Sequence, residues 1–469
     1  MKKIKEITII IFAIILLLPL LNFNFEKDAV SAIDNRNLAG NPFTEYKNSK
    51  DVKFSTLLDN YVSDRIGFRN KLIRTATVLN DKVFGIMDHP SYTYGKDGYI
   101  FGAGIYVDEE YSQYHKDFVE AVAKMQEYCE ERDVPFVFVF EPAKPAVLKE
   151  YIADGINYDG KWIDEFISAL DEKGINYVDN TDMLKEKTKE GEMVFNKKFD
   201  ANHWNSLGAY YGVNAVLERL KPLLPSVHIN TMDEMDVSTK TEKSLLVSEF
   251  PIDEKTPVIT PKHEADYSVT NLYYDELERD DQYKTFWYYK NKEREEEGAP
   301  KALVFQGSYM NEYGYNFFAN AFSDYIYIHD YQNVFDMDYY FNIFKPDCVI
   351  FELAEYTFDN VYFDNEKMND MKLNRPLKDS WEEYEGNVEE DIDKDHIKVE
   401  KGKTLTKITW ITDNEYDSVW AYAGEEFDMR KCDKGYEFTL HTSDYEKNKD
   451  DLIVINMEND SVKAHKVSK

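Results

Sequence analysis

Hydrophobic positions fall along this chain in three rhythms: continuous runs, a helical spacing of three and four, and short bursts between turn residues. The longest run comes first. Residues 7–21 are nearly all Ile, Leu and Phe behind Lys2, Lys3 and Lys5, and Phe23 and Phe25 prolong the run towards the width of a bilayer. The pattern predicts a signal anchor over 1–25, its positive end in the cytoplasm and the main domain extracytoplasmic. Val30-Ser31-Ala32 resembles a cleavage site, but it lies beyond Glu26, Lys27 and Asp28 and far from the apolar run. A retained single-pass anchor in the cell membrane is therefore expected over a cleaved, secreted chain. A polar linker over 26–53 follows.

Over 54–79 the positions Leu57, Leu58, Tyr61, Ile66, Phe68, Leu72 and Ile73 recur at helical spacing. Tyr94-Gly95-Lys96-Asp97-Gly98-Tyr99-Ile100-Phe101 predicts a hairpin turning at Lys-Asp-Gly. Residues 118–132 predict a helix with the stripe Val119, Val122, Met125 and Tyr128, and 134–140 is a continuous apolar run, as in a strand buried on both faces. The same pair returns as helix 162–173 and strand 175–178. It returns again as strand 302–305, helix 315–322, strand 325–328, helix 339–344 and strand 348–353. This alternation predicts an α/β fold around a parallel sheet. Its site would lie outside the carboxyl ends of the strands, near Glu141, Asp179 and their loops. Residues 222–300 break the rhythm, with strand-like patches at 244–250 and aromatic clusters at Tyr273-Tyr274 and Phe286-Trp287-Tyr288-Tyr289. They read as an insertion between two halves of one sheet, folded over the cleft, within a main domain spanning 54–359. An acidic linker over 360–400 precedes a small β appendage, 401–469, marked by apolar runs at 405–411, 418–422, 436–441 and 452–456.

Charge narrows the partners. Lys+Arg 56 against Asp+Glu 89 leaves a net −33, which repels phosphate backbones, so nucleic acid is not expected. The 35 Tyr suit half-polar clefts in which a ring packs and a hydroxyl bonds. Cys129, Cys348 and Cys432 have no metal-type spacing; Cys129 and Cys348 sit in apolar segments as expected buried thiols.

The candidate chemistry lies in Phe199-Asp200-Ala201-Asn202-His203-Trp204, a polar loop opening into an apolar helix through Gly208-Ala209. A histidine beside a carboxylate takes and returns a proton near neutral pH. A nucleophile for it is found at Ser308, on the turn Gln306-Gly307-Ser308-Tyr309 leaving a buried strand. In this reading Ser308 attacks, His203 accepts its proton, Asp200 orients the imidazole, and Asn311 with the Ser308 N–H holds the oxyanion. Spacing alone favours the plainer readings, a turn serine capping a helix and a histidine bracing a turn, since Asp-x-x-His and Gly-Ser are common. Two further ligands for a metal are missing, so no metal and no cofactor is expected.

Four of these stretches together resemble a known family: the hairpin 94–101, Pro142-x-Lys144, His203-Trp204 with Gly208-Ala209, and Val304-Phe305-Gln306-Gly307-Ser308-Tyr309. Residues 59–69 add a similar N-terminal helix. The set resembles SGNH-hydrolase-like proteins of the DHHW and alginate-acetylation (AlgX/AlgJ) type. That resemblance implies an SGNH-like three-layer sandwich and a membrane-anchored O-acetyltransferase or acetylesterase acting on cell-surface or exported polysaccharide. It also implies a membrane-bound O-acyltransferase as a neighbour. The chain departs from the family at two points: Asn202 and Ala201 stand where an Asp is usual before the Trp, and Gly307 stands where Asp usually precedes the Ser. The second departure motivates an alternative, a catalytically silent scaffold or glycan-binding partner of such an acyltransferase.

Overall fold

A computed structural model of the chain describes residues 2–26, 29–31, 33, 37–48, 52–87, 89, 91–102, 110–246, 250–377, 388–459 and 461–467. Ala32 of the cleavage-like triplet lies outside them. A helix, Lys2–Leu21, opens the chain. Its Lys3–Leu21 segment has mean hydropathy 2.5, long and apolar enough to cross a membrane. The periodic stretch 54–79 is not one helix but two, Phe54–Arg65 and Arg69–Phe84. Gly67 forces the break. A Cβ on it would come within 2.5 Å of both Asn22 Cβ and the Pro19 carbonyl oxygen at the end of the first helix. Ile66 is accordingly extended and Phe68 left-handed.

Strands β1 (Tyr92–Tyr94) and β2 (Ile100–Gly102) form the expected hairpin. The central sheet then builds from β3 (Phe136–Glu141) and β4 (Tyr177–Asp179). After an outlying hairpin, β5 (Met235–Ser244) with β6 (Pro251–Pro261), it resumes with β7 (Phe286–Lys290), β8 (Lys301–Gln306), β9 (Asp324–His329) and β10 (Cys348–Ala354). Strand order is β4-β3-β10-β8-β9-β7, all parallel except the edge strand β7, which runs antiparallel to β9. The aromatic cluster 286–289 is therefore a strand of the main sheet rather than part of an excursion from it. Of the strand-like patch 244–250, Ser244 ends β5 and residues 247–249 lie outside the described residues. β5 is polar and largely exposed, and β6 buries only Ile252, Thr256 and Ile259, so no apolar rhythm announced them.

The two-sided burial predicted from the apolar runs has a direct cause in the pleat. Phe136, Phe138 and Phe140 of β3, with Leu303, Phe305, Val349, Phe351 and Leu353, join a core beneath the Gln113–Glu130, Lys161–Lys173 and Met337–Phe344 helices. Val137, Val139, Ala302, Val304 and Ile350 point the other way, into a core beneath the Ser206–Leu220 and Tyr315–Ala321 helices. Each fully buried Phe or Val is worth about 1.5–3 kcal/mol of transfer free energy. These layers fix the sheet, and the sheet fixes where its strand ends point.

The C-terminal β region starts earlier than its apolar pattern suggested. β11 (Val388–Ile392) and β12 (Ile397–Lys401) lie within the acidic stretch expected to be linker. β12 is an edge strand with exposed charges, which hides it from a search for apolar alternation. With β13 (Leu405–Ile411), β14 (Ser418–Tyr422), β15 (Glu426–Asp428), β16 (Arg430–Cys432), β17 (Gly435–His441), β18 (Ile453–Glu458) and β19 (Ser461–Val467), they make one five-stranded and one four-stranded sheet. The unit is fastened to the α/β domain by Arg132 and Tyr128, which donate to the buried Asp428 carboxylate at 2.9 and 2.5 Å. Cys129 and Cys348 are buried free thiols.

Candidate active site

The carboxyl ends of β3, β8, β9 and β10 share one edge of the sheet, and the next residues of three of them build the site. β8 ends at Gln306, and a helical segment opens at Ser308, passing through a π-helical turn, Met310–Gly314. Ser308 thus stands at a helix N-terminus, where backbone N–H groups have no partner within the helix. Behind it, the Gly307 N–H donates to the buried Glu352 carboxylate at 2.6 Å. A Cβ on Gly307 would lie 3.3 Å from Asp330 Oδ2, a tight fit, so an aspartate from the turn after β9 packs against the residue before the serine. Burial, then each other's charge in the case of Glu352, pushes the Asp330 and Glu352 carboxyls up, Glu352 well above the usual range.

The second wall is the loop 197–205. Asp200 takes a left-handed φ of 53°, which Asp tolerates better than most residues. Its carboxylate accepts the His203 and Asn202 backbone N–H groups at 3.0 and 3.1 Å and faces His203 Nδ1 at 2.8–2.9 Å. Burial opposes ionisation of Asp200, but the His203 charge and these bonds prevail and hold its carboxyl below the ordinary range. Burial likewise opposes the imidazolium, yet Asp200 outweighs it and raises His203 above the usual value. Asn205 then caps the Ser206–Leu220 helix by accepting from Leu207 and Gly208 N–H. Gly212 lets the Trp204 ring lie flat on that helix, since a Cβ there would come 2.2 Å from the ring.

The serine and the imidazole share one site but are not bonded to each other. Tyr356, from the short turn Glu355–Thr357 after β10, stands between them. Its hydroxyl is 2.5 Å from Ser308 Oγ and 2.7 Å from His203 Nε2. With neutral His203 giving its Nδ1–H to Asp200, Nε2 accepts from Tyr356, and the Tyr356 oxygen accepts from Ser308. Burial pushes the Tyr356 phenol well above its usual pKa, so it rests as a neutral hydroxyl. Glu355 pins this turn by accepting from the Ala143 N–H at 2.8 Å and from the Tyr158 hydroxyl. Asn311, the expected oxyanion donor, has its Oδ1 held by Gln306 Nε2 at 3.1 Å, and its amide lies beside the Tyr327 phenol. Glu141, expected beside the site, is turned into the protein and bonded by Asn180 Nδ2.

Three further residues fix the loop. Glu254 of β6 accepts three consecutive backbone N–H groups, from Lys197, Lys198 and Phe199, at 2.6–2.9 Å. Lys144 is fully buried and donates to the carbonyls of Ile100, Lys197 and Asp200 at 2.8–3.4 Å. Burial pulls its ammonium down to about 7. Tyr309 gives its hydroxyl to the Pro142 and Asn202 carbonyls at 2.7 and 2.9 Å, while Trp204 Nε1 returns a bond to the Tyr309 carbonyl at 3.0 Å. The neighbours of Ser308 and His203 therefore clasp one another. Sequence reasoning missed Tyr356 and Glu254. The rule that sites follow strand ends nominates residues 355–357; nothing local points to Glu254. Among the described residues, no group of three or more His, Cys, Asp or Glu side chains is placed to hold a metal ion.

The family model described as "SGNH hydrolase-like domain, acetyltransferase AlgX" matches residues 93–276. The match takes in Lys144, Asp200, His203 and Glu254 and stops before Ser308 and Tyr356. No curated protein matches the chain. Among solved structures, PatB1 of Bacillus cereus is 16% identical, with 59% of this chain and 98% of that one covered at a TM-score of 0.44. The O-acetyltransferase domain of Pseudomonas putida AlgJ is 14% identical, covering 60% and 99% at 0.42. Pseudomonas aeruginosa AlgX is 15% identical, covering 75% and 86% at 0.38. These likenesses are distant. The chain resembles the acetyltransferase family over the matched residues, which supply β3 and β4, and the α/β fold that β7 to β10 complete beyond them is SGNH-like.

Proposed function

We propose that the protein is a membrane-anchored, extracytoplasmic O-acetyltransferase or acetylesterase of SGNH type acting on cell-surface or exported polysaccharide. The observation that carries this reading is the unbroken hydrogen-bonded chain Ser308–Tyr356–His203–Asp200 at the carboxyl edge of the sheet. Ser308 Oγ attacks the acetyl carbonyl carbon of an ester donor. As the Oγ–C bond forms, the serine proton passes to the Tyr356 oxygen and the tyrosine proton to His203 Nε2. Asp200 stabilises the imidazolium. The Ser308 N–H and the Asn311 amide hold the oxyanion. The donor's C–O bond then breaks, its alcohol takes the proton back along the same path, and a sugar hydroxyl or water attacks the acyl-serine. The resemblance supports a membrane-bound O-acyltransferase beside it as the source of acetyl groups.

The test is turnover of a small acetyl ester and labelling by a serine-reactive phosphonate in full-length protein. Wild type labels and turns over; Ser308→Ala does neither. Equal turnover by both proteins would reject the site. A second reading has a specific observation in its favour: Tyr356 separates the serine from its base. In that reading the chain is a silent scaffold or glycan-binding partner of the acyltransferase. Glycan binding that survives Ser308→Ala, in protein the phosphonate never labels, would select it.

A further inference from the structure

The N-terminal sixth of the chain has a surface unlike the rest. Among the described residues, thirteen large apolar side chains are exposed between Phe25 and Ile86, against eleven in the whole of 87–469. A soluble surface scatters such groups singly; a contiguous set marks an interface. The densest part is the Arg69–Phe84 helix. Leu72, Ala76, Leu79 and Val83, spaced four, three and four residues apart, form one outward stripe, with Leu72, Leu79 and Val83 each 57–59% exposed. Lys71 and Lys82 flank the stripe in solvent. The helix carries Arg69, Lys71, Arg74 and Lys82 against a lone Asp81, an inversion of charge in a chain of −33.

Its position says what covers the stripe. The Gly67 N–H donates to the Pro19 carbonyl at 2.9 Å, and the Asn24 N–H to the Arg65 carbonyl at 2.8 Å. The corner that starts the Arg69–Phe84 helix is thus bonded to the outer end of the Lys2–Leu21 helix. We propose that the Arg69–Phe84 helix lies on the lipid surface where the anchor emerges, with Leu72, Leu79 and Val83 in the headgroup–acyl boundary and Lys71 and Lys82 at lipid phosphates. This rests on the membrane-anchor reading above. The helix's inner side reaches the catalytic loop. Val78 packs on the cluster of Tyr92, Phe199 and Ala201, the last two flanking Asp200, and Asp81 accepts the Tyr94 hydroxyl at 2.5 Å. The bilayer, the helix and the catalytic loop form one packed stack, so the site works on substrate presented at the membrane surface.

The test uses the full chain, with Cys432→Ser as background, in nanodiscs of phosphatidylcholine and phosphatidylglycerol. Single nitroxides are placed at Leu79→Cys, Val83→Cys, Ile11→Cys in the anchor, and Val237→Cys on the exposed β5 strand. Collisions with oxygen and with a water-soluble nickel chelate are measured. The Leu79 and Val83 probes lose chelate access and gain oxygen access relative to Val237, as Ile11 does. Replacing Lys71 and Lys82 together by Glu restores chelate access at Val83. Chelate access at Leu79 and Val83 equal to that at Val237, with Ile11 still protected, overturns the docking and leaves the anchor standing. A chelate-exposed Ile11 overturns both.

Discussion

The Ser308 turn and the 200–203 loop meet at one tyrosine hydroxyl, yet they are held by opposite means. Ser308 leaves a central strand whose residues Ala302, Leu303, Val304 and Phe305 are fully buried, so its place is inherited from apolar packing on both faces of a sheet. The loop has no regular structure. Its backbone is saturated instead: three N–H groups on Glu254, two more on Asp200, and the Lys197 and Asp200 carbonyls on Lys144. A buried backbone group costs free energy unless it is paired, so a loop pinned this way is as determinate as a strand end. The mutual bonds of Tyr309 and Trp204 then couple the two. The lesson is that half of a site can be packed and half wired, and the halves fail differently.

The largest effect tests whether the halves act as a unit. Ser308→Ala and His203→Ala each lower kcat on the order of 10^4-fold or more, and the double variant falls no further than the worse single one. Independent, multiplying losses in steady-state kinetics would break the unit and leave two unrelated features that share a cleft.

Tyr356→Phe is the next test, and it sharpens what joins the halves. As a proton relay, Tyr356 should cost about 10^2–10^3-fold in kcat when its hydroxyl is removed, with KM little changed. Phosphonate labelling of Ser308 should slow in parallel. A faster enzyme would recast Tyr356 as a plug between nucleophile and base. An unchanged rate would mean that His203 reaches the serine without it.

What could be read from the chain follows the same division. The packed half was legible: apolar runs located β3, β8, β9 and β10 to within a few residues, and a strand end followed by Gly-Ser drew attention to Ser308. Asp200 and His203 were legible because they bond within their own loop. The wiring was not. Glu254 lies fifty-odd residues from the amides it caps, on a hairpin strand with no regular apolar alternation. Tyr356 is one tyrosine among 35, and only the closing of β10 against β8 brings it to Ser308. The helical spacing over 54–79 did not reveal the break at 66–68 for a related reason: Gly67 meets a neighbour, the end of the first helix, that local periodicity does not register.

A paired substitution of two carboxylates, half-buried Glu254 and buried Glu352, separates wire from packing more finely. Glu254→Gln weakens charge-assisted bonds to three amides and should cost about 1–3 kcal/mol in chemical denaturation, with a fall in kcat as the loop loosens. Glu352→Gln should be nearly silent, within about 1 kcal/mol. Burial raises the Glu352 carboxyl well above its usual range, which weakens the case for a charge there, and a Gln oxygen still accepts the Gly307 N–H. Equal losses in the two variants would erase the distinction drawn between the halves.

The smallest effect lies in the pH profile, and its sign is opposite for activity and for stability. The folded His203 pKa stands above the ordinary imidazole value of about 6.5. As the base it works unprotonated, so kcat/KM falls on the acid side with a midpoint above that value. The stabilisation it draws from Asp200 runs the other way: fully present below the unfolded pKa, and lost as pH rises through the folded one. On the proposed mechanism, activity should rise over the window in which this ion pair gives up stability. Glu312, a solvent-exposed carboxylate nearby, adds to the raised His203 pKa after burial and Asp200 have acted. Glu312→Gln should therefore move the acid midpoint down by less than Asp200→Asn does, while leaving the plateau rate intact. A midpoint that does not move in either variant would assign the acid limb to a group other than His203, and with it the claim that the wired half supplies the base would fall.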